Sequence, residues 1–154
     1  MPDSQPLLAA GFHDMTLDDL QALCVDPFVT STTRTDIHAG LKDVVGSLQK
    51  EGVNGELWTD GSFLTEKVDP NDSDVVLVIS GEEYDLMSGA KRDIVDWMSS
   101  NTPKASHHCD SYVHYEFPPG HAHYGFSEWM RAYWIRQFGF SRGMDFKGIA
   151  RVTL

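Results

Sequence analysis

The chain has little that would staple it together or anchor it. Its 154 residues include only two cysteines, Cys24 and Cys109, in no CxxC pair. That excludes a disulfide framework and a four-cysteine zinc site, and a reducing, cytoplasmic setting is expected. Long apolar runs are missing too. The longest aliphatic stretch is residues 75–79, whereas a membrane helix needs about 20 apolar residues. The opening MPDSQPLLAAGFHD has neither a basic region nor an apolar one, so no secretory signal is expected. Positive charge is scarce, with 12 Lys and Arg against 23 Asp and Glu and a net charge of −11. Such a chain is a poor generic binder of nucleic acid or anionic membrane, because phosphate backbones attract Lys and Arg.

What is present is ordinary globular usage: 41% hydrophobic and 23% charged residues. The length suits one domain with one core, expected over residues 15–154 behind a loose leader, 1–14. The charge is uneven. Residues 126–154 hold Arg131, Arg136, Arg142, Lys147 and Arg151 against Glu128 and Asp145. This basic end either meets phosphates or pairs with the acidic body.

Thr16 followed by Asp19 has the spacing of a capping box and predicts a helix over 17–24. Ile37, Leu41, Val44, Val45 and Leu48 draw one apolar stripe, which predicts a helix over 36–50, stopped by Gly52. Residues 56–59 read as a strand and Asp60-Gly61-Ser62 as a turn. The apolar run in 73–80 predicts a strand covered on both faces. A helix is expected from 82 or 83 to 99, with Leu86, Ile94, Trp97 and Met98 in the core. A strand follows at 109–117, then an aromatic helix capped by Ser127 and ended by Gly139, then a strand at 148–154. The resulting order, α-α-β-β-α-β-α-β, gives an α+β fold: one small mixed β-sheet with helices packed on it.

The chemistry concentrates in residues 57–79, LWTDGSFLTEKVDPNDSDVVLVI. Gly61 lets backbone approach a ligand closely, and Ser62 adds a hydroxyl at a turn whose free N–H groups favour an anion. Asp72 and Asp74 stand two apart at a strand start, so both carboxylates point to one side. Two such charges repel unless one is protonated or a cation bridges them, and hard oxygens favour Mg²⁺. Taken singly, a Gly-Ser pair is a common turn and a D-x-D a common loop edge. The ordered series of strand, Gly-Ser, loop, D-x-D and apolar strand is far more specific.

This stretch resembles the signature of the DNA-polymerase-β-like nucleotidyltransferase superfamily. GELWTDGSFLTEKVDPNDSDVVLVI and the closing YWIRQFGFSRGMDFKGIARVTL look like small stand-alone bacterial members of it. The resemblance implies a polymerase-β-like nucleotidyltransferase fold and a metal-dependent transfer of a nucleoside monophosphate, AMP from ATP, to a hydroxyl acceptor. It assigns Gly61 and Ser62 to the nucleotide's phosphates. It assigns Asp72 and Asp74 to the catalytic Mg²⁺ or Mn²⁺. Asp110, at the start of the later strand, is mapped as the third carboxylate. Lys67, between the two halves of the motif, is a further phosphate contact or a solvated loop lysine. Ser73 departs from the apolar residue often found between the aspartates. Acidity favours a protein acceptor over RNA, and small members of the superfamily suggest a toxin–antitoxin or phage-defence setting. No membrane partner is expected.

Other readings compete. His107, His108, His114, His121 and His123 crowd around Cys109 but lack paired-ligand spacing for zinc. The aromatics Phe126, Trp129, Tyr133, Trp134, Phe138 and Phe140 at helical spacing are read as core rather than as a base-stacking platform, and the face left over is a candidate surface for a protein partner or a second copy. A catalytically silent nucleotide-binding or regulatory module is the alternative to an enzyme. A metal-dependent phosphohydrolase would use the same carboxylates.

Overall fold

The computed structural model describes residues 4–154. The first helix, α1 (Leu17–Cys24), begins as its spacing predicts. Thr16 Oγ1 accepts from the Asp19 N–H at 3.0 Å, and Asp19 Oδ2 accepts from the Thr16 N–H at 2.9 Å. In α2 (Arg34–Lys50) the apolar stripe is fully buried. At its end Gly52 takes φ 70°, and the Val53 N–H returns to the Leu48 carbonyl.

Five strands form one mixed sheet: β1 (Gly11–Asp14), β2 (Glu56–Asp60), β3 (Ser73–Ser80), β4 (Cys109–Glu116) and β5 (Gly148–Thr153). Their order is β1-β5-β2-β3-β4, with β2 antiparallel to β3 and β5, and the pairs β1·β5 and β3·β4 parallel. Side chains alternate across a strand, so the sheet has two distinct faces. Leu57, Val75, Leu77, Ile79, Ala150 and Val152 pack with the α1 and α2 side chains and with Val95 and Met98. Trp58, Val76, Val78 and Ile149 meet Trp134 and Phe138 of the last helix, α6 (Tyr124–Gly139). Helices thus cover both faces of β3, and its run of five aliphatic residues follows from that. The fold is α+β, a small mixed sheet with helices packed on it.

Three expectations are corrected. Residues 4–14 are tied down rather than loose: β1 pairs along β5, and the Leu7 N–H donates to the Leu64 carbonyl. The start of that leader, residues 1–3, lies outside the described residues. The helix expected to run to residue 99 is two helices, α3 (Gly81–Leu86) and α4 (Gly89–Ser99). Met87 and Ser88 are extended between them and Gly89 takes φ 59°. The break resets the helical phase. Met87 takes the buried place, and Leu86, expected in the core, is 87% exposed. Ser127 does not cap α6, which starts at Tyr124. Its Oγ instead donates to the Tyr124 carbonyl and accepts from the Phe117 N–H, tying down the end of β4. A further short helix, α5 (Pro103–His107), precedes β4.

Candidate active site

The end of β2 and the starts of β3 and β4 lie at one edge of the sheet. Register places Asp60 opposite Asp74, and Asp74 beside Asp110. All three belong to the α6 side of the sheet, because Asp60 shares a face with Trp58, and Asp74 with Val76 and Val78. Neighbouring strands lie about 4.8 Å apart, so three carboxylates form a row. Asp72 precedes β3 and lies near the row, its Oδ2 4.0 Å from the same Lys104 ammonium that meets Asp110 and its charge acting on Asp74. The sequence-predicted Asp72, Asp74 and Asp110 are therefore brought together.

The Gly-Ser turn adjoins the row. Gly61 takes φ 86°, and a Cβ built there would stand 2.6 Å from Asp74 Oδ2. Only glycine fits this backbone and this contact. Ser62, Phe63 and Leu64 then make a single 3₁₀ turn, with the Phe63 and Leu64 side chains buried beneath it. Lys67 is not drawn in. It is exposed, its ammonium makes no ion pair among the described residues, and its carbonyl is what the fold uses.

That carbonyl belongs to a hub. The Arg34 guanidinium is buried at the start of α2 and donates to the carbonyls of Cys24 (2.9 Å), Phe63 (2.7 Å), Thr65 (2.6 Å) and Lys67 (2.5 Å). The Phe28 ring lies 3.6 Å from its central carbon. On the outer side, Asp69 Oδ1 accepts from the Thr32 N–H and the Ser31 hydroxyl. The loop between the two halves of the motif is thus held from both sides.

Two lysines bracket the acidic row. Lys104 Nζ, on α5, is 3.3 Å from Asp110 Oδ2 and 4.0 Å from Asp72 Oδ2. Lys147 Nζ, just ahead of β5, is 3.5 Å from Asp60 Oδ1. Neither these lysines nor Asp60 or Arg34 stands out as functional in the sequence. For Asp60 a signal existed, since Trp58 and Asp60 fall on one side of a strand read one residue further. For Lys147 the signal was its place in the basic end, one reading of which was pairing with the acidic body; for Lys104 and Arg34, far from the motif in sequence, there was none.

A family model matches residues 2–153. The chain belongs to DUF6932, a family of unknown function. No curated protein and no solved structure matches it.

The electrostatics of this DUF6932 site are those of crowded negative charge. Burial, followed by the charges of Asp72 and Asp110, pushes the Asp74 carboxyl up to about 6, with Lys147 and Lys104 opposing. Burial pushes Asp60 up to about 8, and Lys147 offsets only part of this. Buried Asp60 is met by the Gly61 N–H and by the Lys147 ammonium, and Asp110 by the Lys104 ammonium and the Tyr112 hydroxyl. Among the described residues no three His, Cys, Asp or Glu side chains converge tightly enough to hold a metal ion between them. The donor chemistry nevertheless fits Mg²⁺ or Mn²⁺. Asp72, Asp74 and Asp110 offer hard oxygens near one another, and their mutual repulsion is what a divalent cation relieves.

The Asp60 shift makes a prediction. A carboxyl whose folded value is raised binds its proton more tightly folded than unfolded. Its contribution to stability is therefore full below the unfolded value of 3.8 and lost as pH rises to about 8. Asp60→Asn is expected to flatten the fall in stability across that window. It should make the protein about 2–5 kcal/mol more stable than wild type at pH 9. Urea unfolding at a series of pH values measures this, and equal pH slopes would refute it.

The histidine cluster serves other ends. His107 Nε2 is 2.6 Å from Asp43 Oδ2, and His121 stacks on Phe117. Buried His114 is depressed to about 4 by desolvation and by Arg131, so it is neutral at pH 7. Cys24 and Cys109 are buried, and burial pushes their thiols up to about 12 and about 11, which makes them poor nucleophiles. The aromatic helix divides: Trp134 and Phe138 are core, while Phe126, Trp129 and Tyr133 are exposed. Among the described residues, no helix is long and apolar enough to cross a membrane.

Proposed function

We propose that this protein is a metal-dependent nucleotidyltransferase that moves a nucleoside monophosphate, AMP from ATP, onto a hydroxyl acceptor. One observation carries the reading: Asp60, Asp74 and Asp110 stand in register on one sheet face, with Asp72 ahead of them and the Gly61-Ser62 turn against Asp74. Asp72, Asp74 and Asp110 would hold Mg²⁺ or Mn²⁺. The ion would supply neutralisation of phosphate charge and a more acidic acceptor hydroxyl. The Gly61-Ser62 turn receives the phosphates and orients the α-phosphorus. The acceptor oxygen forms a bond to that phosphorus, the bond to the β-phosphate bridge breaks, and pyrophosphate leaves. The acceptor's proton passes to solvent or to a carboxylate of the row.

A protein hydroxyl is the preferred acceptor. Three cations of the basic C-terminal segment are engaged internally: Arg131 with Glu116, Arg151 with Asp14 and Glu56, and Lys147 with Asp60. That leaves few to dock an RNA backbone. The exposed Phe126, Trp129 and Tyr133 offer a surface for a protein partner or a second copy. Service in a toxin–antitoxin or phage-defence pair follows from the resemblance alone.

A second reading, a catalytically silent nucleotide-binding module, is favoured by Lys104, whose ammonium already sits against two of the three carboxylates and offsets part of their charge. Incubating the protein with α-labelled ATP, Mg²⁺ or Mn²⁺ and cell extract separates the two. Label on a macromolecule is the expected result. Nucleotide binding without transfer favours the silent module, and free mononucleotide without acceptor label favours hydrolysis. Absence of both binding and transfer refutes the proposal.

A further inference from the structure

Lys104 is aimed. Its helix, α5, is clamped between α2 and β4. Asn101 and His108 flank it with φ 61° and 55°. Asn101 Oδ1 accepts from the Ser111 N–H on β4. On the other side the His107 carbonyl presses into α2 at Gly40, where a built Cβ would stand 1.9 Å from it, and the His107 ring reaches Asp43. The Lys104 side chain then extends over Asp72 and Asp110, although it is 53% exposed and free to turn into water. Exposed ion pairs add little to stability. The contact is better explained by the charge it answers: two carboxylates beside Asp74, of which Asp110 is the more buried, its side chain 16% exposed.

We propose that Lys104 is the resident counter-ion of the acidic row: its ammonium pairs with Asp110 and stands beside Asp72 in the metal-free protein, offsetting part of their charge, and a divalent cation binds by displacing it. Displacement frees the ammonium to meet the phosphates of the incoming triphosphate. Site loading is then an exchange of one cation for another, and Lys104 sets the metal concentration at which it occurs. The inference deepens the metal-dependent reading above and rests on it.

The test is titration of Mn²⁺ alone into the full chain by calorimetry, for wild type, Lys104→Met and Lys104→Arg. Two cations that exclude each other are negatively coupled, so Lys104→Met is expected to bind Mn²⁺ about tenfold more tightly. Lys104→Arg keeps the charge and should stay close to wild type. Without metal at low salt, Lys104→Met should also melt below wild type, and Mn²⁺ should raise its midpoint more. Equal Mn²⁺ affinity in all three proteins overturns the counter-ion role and leaves the metal-dependent reading intact. Mn²⁺ binding by none of them overturns both.

Discussion

Replacing Arg34 by methionine is expected to cost about 3–5 kcal/mol of stability, among the largest effects of any single exchange in this chain. The methionine fills similar space but donates nothing. The carbonyls of Cys24, Phe63, Thr65 and Lys67 would lose their shared donor in a site where the guanidinium is 1% exposed. Each unsatisfied buried carbonyl costs about 1–3 kcal/mol, reduced where water can enter. Lysine is expected to rescue only part of this, because a point charge on a flexible stem cannot span a fan of carbonyls that a planar fork can. Calorimetric melting of the three proteins checks this, with a drop of about 6–20 °C expected for Arg34→Met. A loss under about 1 kcal/mol would mean that water replaces the guanidinium and that the hub is dispensable.

The same hub links stability to the site. Its carbonyls come from the end of α1 and from the loop joining Gly61-Ser62 to Asp72. Loosening it frees the stretch that sets the Gly-Ser turn against Asp74. A variant folded at low temperature should therefore bind nucleotide more weakly even where its far-ultraviolet spectrum is native.

Local rules made much of this legible in advance. The Thr16–Asp19 capping box, the α2 stripe and the doubly covered β3 each depend on neighbours a few residues away, and each formed as read. The nearness of Asp72 and Asp74 was read from strand period, although β3 begins at Ser73 and leaves Asp72 just ahead of it. Asp110 joined them through a resemblance, and it is parallel pairing of β3 with β4 that puts it there. What was not legible depends on partners distant in sequence. β1 is only four residues long and exists because β5 runs beside it. The break at Met87 reflects a demand of the core, with Gly89 permitting it. Arg34 resembles any exposed arginine at a helix start until the carbonyls of residues 63–67 are folded over it. Lys104 acquires meaning only once α5 flanks the row, and Lys147, read only as part of a basic end, finds its acidic partner once the start of β5 lies beside Asp60.

Asp74→Asn is expected to move stability and activity in opposite directions, which a merely structural aspartate would not do. Asparagine keeps the shape beside Gly61 and removes a charge that burial, Asp72 and Asp110 all disfavour. The folded value of Asp74 is raised from 3.8 to about 6, so its ionisation weakens the fold as pH rises through that interval. Above pH 7 the asparagine protein should be about 1–3 kcal/mol more stable than wild type, and below pH 4 the two should converge. Transfer should behave otherwise. A carboxylate that holds a divalent ion against phosphate is worth several kcal/mol of transition-state stabilisation. Label transfer should then fall by about 10³-fold or more, and Mn²⁺ should no longer raise the melting midpoint. A stabilised variant that transfers label at the wild-type rate would remove Asp74 from the chemistry. Were the protein also destabilised above pH 7, Asp74 would instead be a structural anchor, and the row a feature of folding alone.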